Sequence, residues 1–189
     1  MNCRTTVLVM FAALALTACG GGEDENEGSK DGIYQLELVR ESDTCTPKRS
    51  TGDFGQVPLT HEPDQYTLFY PLVGEGEVPI GFFIERVPKD RPFEKESVGI
   101  HDCPELRRWM SLELLSDVGP VEVRYKTRYS DMASCGLTSE SRFEGLPDSD
   151  CEASLLLRYS LVQVCEEPCT IRPNPSPESS PGTYICDCK

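Results

Sequence analysis

The sequence predicts an all-β protein, a single antiparallel β-sandwich or meander barrel of about eight strands, stabilised by disulfides. Three observations support this fold class. Residues 121–129, VEVRYKTRY, alternate apolar and charged side chains, which is typical of a strand with one buried and one solvated face. The chain has 15 prolines and 15 glycines, scattered too widely for a helical bundle. Among its 10 cysteines, the set from Cys45 to Cys188 is even in number, as in exported disulfide-stabilised domains.

Residues 1–18 are predicted to be a signal peptide. Arg4 gives a short positive start, and the apolar run 7–16 that follows is too short for a transmembrane helix, which needs about 20 residues. The segment ends Leu16-Thr17-Ala18-Cys19, which resembles the lipobox of bacterial lipoproteins at all four positions. The resemblance implies that Cys19 is the lipidation site and the first residue of the mature chain. The alternative is a plain secreted protein in which Cys19 pairs in a disulfide.

The lipobox resemblance also implies a location. In that family the cysteine thiol receives a diacylglyceryl group and the new amine is acylated, for example with palmitate. Several acyl chains give stable attachment, because each buried CH₂ contributes roughly 0.8 kcal/mol. Gly20 replaces the aspartate that retains lipoproteins of enteric bacteria at the inner membrane. We therefore expect a lipid-anchored cell-envelope protein at the outer membrane, which contacts the membrane through its lipid anchor.

Residues 19–30 are predicted to be the lipidated cysteine and a flexible acidic tether. Residues 20–29 contain only Gly, Glu, Asp, Asn and Ser, so they offer no apolar side chain to bury and should stay solvated. An acidic sensor or a calcium-collecting tail is the alternative. Residues 31–189 then form one β domain of ordinary size.

The charge of the chain limits its partners. Its 18 Lys and Arg against 32 Asp and Glu give a net charge of −14. Loss of Arg4 with the signal peptide leaves 17 against 32, or −15. Such a surface repels phosphate backbones, so no nucleic-acid partner is expected. It also disfavours close contact with anionic headgroups, which leaves attachment to the lipid anchor.

Several further runs predict strands. Residues 154–164, SLLLRYSLVQV, are apolar on both faces, so this strand is expected to be the most central. Residues 110–115 are expected to form a hairpin with 121–129, although a helix over 105–115 is an alternative. Prolines at 71 and 79 place the hairpin of 66–73 with 79–87 at or near a sheet edge. The remaining predicted strands are residues 33–40 and the weaker runs 138–144 and 183–188.

The mature cysteines are expected to form disulfides rather than to bind metal. Eight cysteines allow 105 pairings. We favour Cys45 with Cys103, Cys135 with Cys151, and the doublet Cys165/Cys169 joined to Cys186/Cys188. That last linkage would clamp the proline-rich C-terminal loop. A structural zinc site on the two C-terminal doublets is the alternative, but a Cys-x-Cys spacing is unusually tight for zinc.

The sequence offers no constellation that points to catalysis, and no catalytic residue, metal or cofactor is predicted. His61 and His101 are the only histidines, and neither HExxH nor GxSxG is present. Asp148, Asp150 and Glu152 have the spacing of a calcium loop, but Ala153 stands where that loop needs glycine, so they are expected to form a solvated acidic turn.

The function predicted from these observations is a non-enzymatic structural or interaction module, whose partner is an unidentified envelope protein or glycan. One alternative is a lipocalin-like carrier that binds a small apolar ligand inside a β-barrel. A second alternative is a hydrolytic enzyme.

Overall fold

The computed structural model of the protein describes residues 30–72, 81–100, 103–135, 146–167, 170–173 and 184–187. Within these ranges a 3₁₀ turn, Met132–Ser134, accompanies the strands, and no helix is long and apolar enough to cross a membrane. The strands are β1 Gly32–Asp43, β2 Gly52–His61, β3 Gln65–Leu72, β4 Gly81–Pro88, β5 Phe93–Ile100, β6 Cys103–Ser116, β7 Val121–Ser130, β8 Cys151–Val164, β9 Thr170–Pro173 and β10 Tyr184–Asp187.

Eight of these strands form one antiparallel sheet that curls into a nearly closed barrel. Their order is β4-β3-β2-β1-β8-β7-β6-β5. Two four-stranded meanders, β1 to β4 and β5 to β8, are joined by the pairing of β1 with β8. The two edge strands, β4 and β5, follow each other in the chain and face each other across the gap. The predicted fold class is confirmed, and the sheet has the form of the meander barrel.

Most of the predicted elements are confirmed. β8 lies in the middle of the sheet, between β1 and β7, as its apolar faces predicted. β6 and β7 form a hairpin, so the helix alternative for 105–115 is wrong. β3 and β4 form the other predicted hairpin, and β4 is an edge strand. The predicted strand 138–144 lies outside the described residues, and β10 occupies most of 183–188. β2 and β5 were not predicted.

The barrel interior is filled by a single cluster of buried side chains. On β1, Tyr34, Leu36 and Leu38 point inward and are nearly inaccessible to solvent. The largest fully buried side chains are aromatic: Tyr34, Tyr66, Phe69, Tyr70 and Tyr159. The Tyr159 hydroxyl donates a 2.8 Å hydrogen bond to the carbonyl of Phe69, which satisfies it across the core. Burial raises the pKa of Tyr159.

Two disulfides join the ends of neighbouring strands. Cys45 pairs with Cys151 and Cys103 with Cys135, at Cα–Cα distances of 4.9 and 4.5 Å. The predicted pairings Cys45–Cys103 and Cys135–Cys151 are therefore wrong. The reason is topological: a Cys45–Cys103 bond would join β1 to β6, which lie on opposite sides of β8 and β7 in the sheet. The end of β1 lies instead beside the start of β8, where Asp43 is opposite Ala153.

The C-terminal segment is described only in part. Cys165 is disulfide-bonded, and its partner is none of the cysteines in the two described disulfides. Cys169 and Cys188 lie outside the described residues, as does the side chain of Cys186 in β10. The predicted C-terminal clamp thus stays a prediction. Pro173 ends β9 and lies opposite Tyr184 of β10, so this part of the proline-rich segment is regularly paired.

Candidate functional site

The candidate site lies along the gap between β4 and β5, which we call the seam. The register places Lys95 and Ser97 of β5 on the inward face, opposite Met110 and Arg108 of β6. Both β5 residues are nevertheless exposed, whereas Phe93 on the same face is partly buried. The inner face of β5 is therefore uncovered beyond Phe93, and the barrel is open to solvent there.

One ion pair bridges the seam. The Lys95 ammonium donates to the Glu85 carboxylate at 3.0 Å, and the Glu85 side chain is only 16% exposed. Lys95 is 53% exposed, so the pair has little energetic weight and can open at low cost. The contact links the two edges, which are not paired with each other in the described sheet.

Beside this pair lies a cluster of one cation and four aromatic rings, which we call the seam cluster. The guanidinium carbon of Arg108 is 5.7 Å from the ring centroid of Phe83 and 5.9 Å from that of Tyr129. Its Nη2 donates a 3.3 Å hydrogen bond to the Tyr125 hydroxyl. The ring of Tyr70 lies 5.4 Å from that of Phe83 and 5.6 Å from that of Tyr125. The seam cluster is thus Tyr70, Phe83, Arg108, Tyr125 and Tyr129.

Strand alternation explains why Arg108 is there. Leu106, Met110 and Leu112 of β6 are buried, and Arg108 occupies the same inward-facing set. Its cross-strand neighbours are Ser97 and Tyr129. Arg108 is therefore a charged residue at an inward-facing position of β6, where the alternation of the strand predicts an apolar residue.

Arg108 has no carboxylate partner among the residues that the structure describes. Its Nε is buried and donates no hydrogen bond, and among the described residues no carboxylate forms an ion pair with it. Burial opposes the charge, whereas the phenolic oxygens of Tyr125 and Tyr129 favour it, and the net effect raises the pKa of Arg108. The guanidinium is charged at neutral pH. A partly buried guanidinium with no counterion among the described residues carries a desolvation cost that an anion would offset.

Tyr70 adds a second weakly satisfied donor at the same place. Its hydroxyl is buried and donates to the Met110 sulfur at 3.6 Å, which is a weak acceptor. Burial raises the pKa of Tyr70, so the hydroxyl remains protonated at neutral pH. The seam cluster therefore presents a guanidinium and a neutral phenol among aromatic rings.

The outer face of the barrel carries a different kind of surface around Trp109. The Arg128 guanidinium lies over the indole ring, 5.5 Å from its centroid. Ser42, Lys126 and Ser154 line the shallow groove beside it. An aromatic ring, a stacked arginine and hydroxyl groups are typical of surfaces that contact other macromolecules.

A network of ion pairs ties β1, β7 and β6 together on the same outer face. Glu41 accepts hydrogen bonds from Arg124 Nε at 3.0 Å and from the Ser154 hydroxyl at 2.7 Å. Arg124 also contacts Glu113 at 3.4 Å. The hydrogen bonds from Arg124 and Ser154 lower the pKa of Glu41 below its ordinary value.

Replacing Glu41 by glutamine is expected to lower the free energy of unfolding by about 0.2–1 kcal/mol at pH 7, as for partly exposed ion pairs. A carboxylate whose pKa is lowered by folding stabilises the protein above its unfolded-state pKa, and this stabilisation is lost as the pH falls through the folded-state value. The difference from wild type should therefore shrink below about pH 4.5. Urea unfolding at several pH values measures it. Glu94→Gln, an exposed carboxylate of β5, is the control, and an E41Q effect independent of pH would contradict the prediction.

Those residues considered from the sequence that the structure describes do not form one site. His61 ends β2, and its Nδ1 lies 2.7 Å from Asp31 Oδ1, while His101 lies outside the described residues. Asp150 accepts a hydrogen bond from the Met132 backbone N–H at 2.8 Å. In the described part of the chain, no group of three or more His, Cys, Asp or Glu side chains is arranged to hold a metal ion. Asp150 of the acidic turn thus helps to position the 3₁₀ turn that follows β7.

Sequence reasoning missed the seam cluster. The signal was the alternation Leu106-x-Arg108-x-Met110, which places an arginine on the buried face once the strand is extended to Cys103. The prediction began this strand at residue 110 and so left Arg108 out.

Comparisons with protein-family models, with curated proteins and with solved structures find no match for this chain.

Proposed function

We propose that this chain is a lipid-anchored lipoprotein of the outer membrane and that its β-barrel is a non-enzymatic interaction module of the cell envelope. The observation that carries the proposal is the lipobox-like Leu16-Thr17-Ala18-Cys19, followed directly by a segment of glycine and acid that ends where the barrel begins. The partner is an envelope protein or glycan, and the Trp109 groove offers a surface suited to it.

The junction between the acidic segment and the barrel supports this arrangement. The Lys30 carbonyl accepts a 2.6 Å hydrogen bond from the Tyr34 hydroxyl, and the Asp31 carbonyl accepts one from the Cys165 N–H at 2.9 Å. The chain is therefore held in place from its first described residue. Ten residues separate Cys19 from Lys30, and they can span up to about 35 Å when extended. An anchored barrel would have this reach above the membrane.

The carrier alternative is not part of the proposal. Seventeen buried residues form one core cluster within the barrel, and such packing argues against a large central ligand cavity. The hydrolase alternative gains no support from His61, whose described partner is Asp31 at the end of the barrel.

Replacing Cys19 by serine is expected to abolish acylation and to release the protein from the membrane fraction, because the thiol is the acceptor of the diacylglyceryl group in lipoproteins of this kind. Metabolic labelling with an alkyne fatty acid, followed by fractionation, measures both effects. Cys3→Ser, which changes a cysteine within the predicted signal peptide, is the matched control and should keep the label. Label that persists in C19S, or a mature chain that begins elsewhere, would overturn the proposal.

A further inference from the structure

We propose that the seam cluster binds the carboxylate of a small organic monoanion with an apolar body, with Arg108 as the counterion. This goes beyond the proposed anchoring role and does not depend on it.

Arg108 carries a positive charge that no described carboxylate balances. The Nε of Arg108 is buried with no acceptor, and none of the described carboxylates forms an ion pair with this residue. A guanidinium presents its donors in a planar fork that matches a carboxylate. Arg108 as a whole is partly exposed, so an anion placed against the accessible part of its guanidinium would neutralise the charge.

Access to Arg108 comes from the open seam. Ser97, its cross-strand neighbour on β5, is exposed, and Val98 beside it is 61% exposed. Between the edge strands the described sheet has no ladder of backbone hydrogen bonds, and the ion pair of Lys95 with Glu85 bridges them. A ligand can therefore enter from the side of the barrel without disrupting the packed core.

The surroundings of the guanidinium select the class of anion. One cation balances a single negative charge. The rings of Phe83, Tyr125 and Tyr129 offer apolar surface for a carbon chain or ring. A monocarboxylate fits this environment better than inorganic phosphate, which is largely dianionic at neutral pH and has no apolar part.

The test is calorimetric titration of the purified mature chain with octanoate, with octanol and inorganic phosphate as comparison ligands. Octanoate should bind the wild-type protein, and Arg108→Met should weaken it by about tenfold or more, as expected for loss of a charge-assisted hydrogen-bond partner. Arg107→Met is the matched control, because Arg107 is next in sequence but forms ion pairs with Glu96 and Asp131. The R107M variant should bind octanoate as tightly as the wild-type protein does. Inorganic phosphate should bind the wild-type protein at least about tenfold more weakly than octanoate.

Two further measurements separate binding from a structural role. The Nε–H resonance of Arg108 in the wild-type protein should shift on addition of octanoate, which requires no variant. R108M should unfold at the same or a higher temperature than wild type, because an apolar side chain replaces a partly buried guanidinium that has no ion-pair partner among the described carboxylates. The proposal is overturned if octanoate does not bind the wild-type protein or does not shift the Nε–H resonance of Arg108. It is also overturned if R108M binds octanoate as tightly as wild type does, if octanol binds wild type as tightly as octanoate, or if phosphate binds wild type more tightly than octanoate.

Discussion

The double variant Cys45→Ala/Cys151→Ala is expected to lose about 4–5 kcal/mol of unfolding free energy. The disulfide closes a loop with a sequence separation of 106, which spans almost the whole barrel. Without it, the unfolded chain gains the conformational freedom of that loop, while the folded strands β1 and β8 remain paired. Urea unfolding of the oxidised protein, followed by circular dichroism, measures the change.

The second disulfide provides a matched control. Cys103 and Cys135 enclose a separation of only 32, so Cys103→Ala/Cys135→Ala should cost about 1 kcal/mol less by the same chain-entropy relation. Both pairs contact the same small buried cluster, which makes the packing losses comparable. A larger loss for the shorter loop would show that local packing, and not loop closure, sets the contribution of these bonds.

The strands that pack one face on the core could be predicted from the sequence. The run 121–129 predicted β7 to within one residue of its observed end at Ser130. Val121, Val123 and Tyr129 are buried, and Glu122 and Arg124 lie on the opposite face. Apolar and polar residues alternate in a strand when one of its faces is buried, so this pattern identifies such a strand without knowledge of its neighbours.

β2 and β5 could not be predicted, because their sequences do not show this regular alternation of apolar and polar residues. Most of β5 is exposed on both faces, since it forms one edge of the open seam. β2 contains Gly52 and Gly55 with positive φ, and its pairing with β1 is shifted next to Gly55. A glycine of this kind is typical of a β-bulge, which interrupts the period of two.

Features that depend on distant strands were also out of reach. The pairing of β1 with β8 determines that Cys45 forms its disulfide with Cys151, and no local sequence pattern predicts this pairing. The same holds for Arg108, whose charge interrupts the apolar pattern of the strand. The register with β7 and the closure of the sheet, which brings β4 close to β6, place it beside Tyr125, Tyr129 and Phe83. The candidate site is therefore a product of topology more than of any motif.

Replacing Leu36 by alanine is expected to lower the free energy of unfolding by about 2–5 kcal/mol. Leu36 is fully buried in the middle of β1, where it lies opposite Tyr159 of β8. Its truncation removes apolar contacts from the packed barrel interior and leaves a cavity that the surrounding strands cannot close without shifting. Urea unfolding of the two proteins side by side measures the loss.

Val39→Ala tests whether that loss depends on the face of the strand. Val39 is three residues from Leu36 on the same strand but faces outward and is only partly buried, so its truncation should cost less than about 1 kcal/mol. Because successive side chains of a strand point to opposite faces, a shift of β1 by one residue would exchange these two environments. A greater loss for V39A than for L36A would therefore contradict the register of β1 against β8, and with it the placement of the residues that fill the barrel.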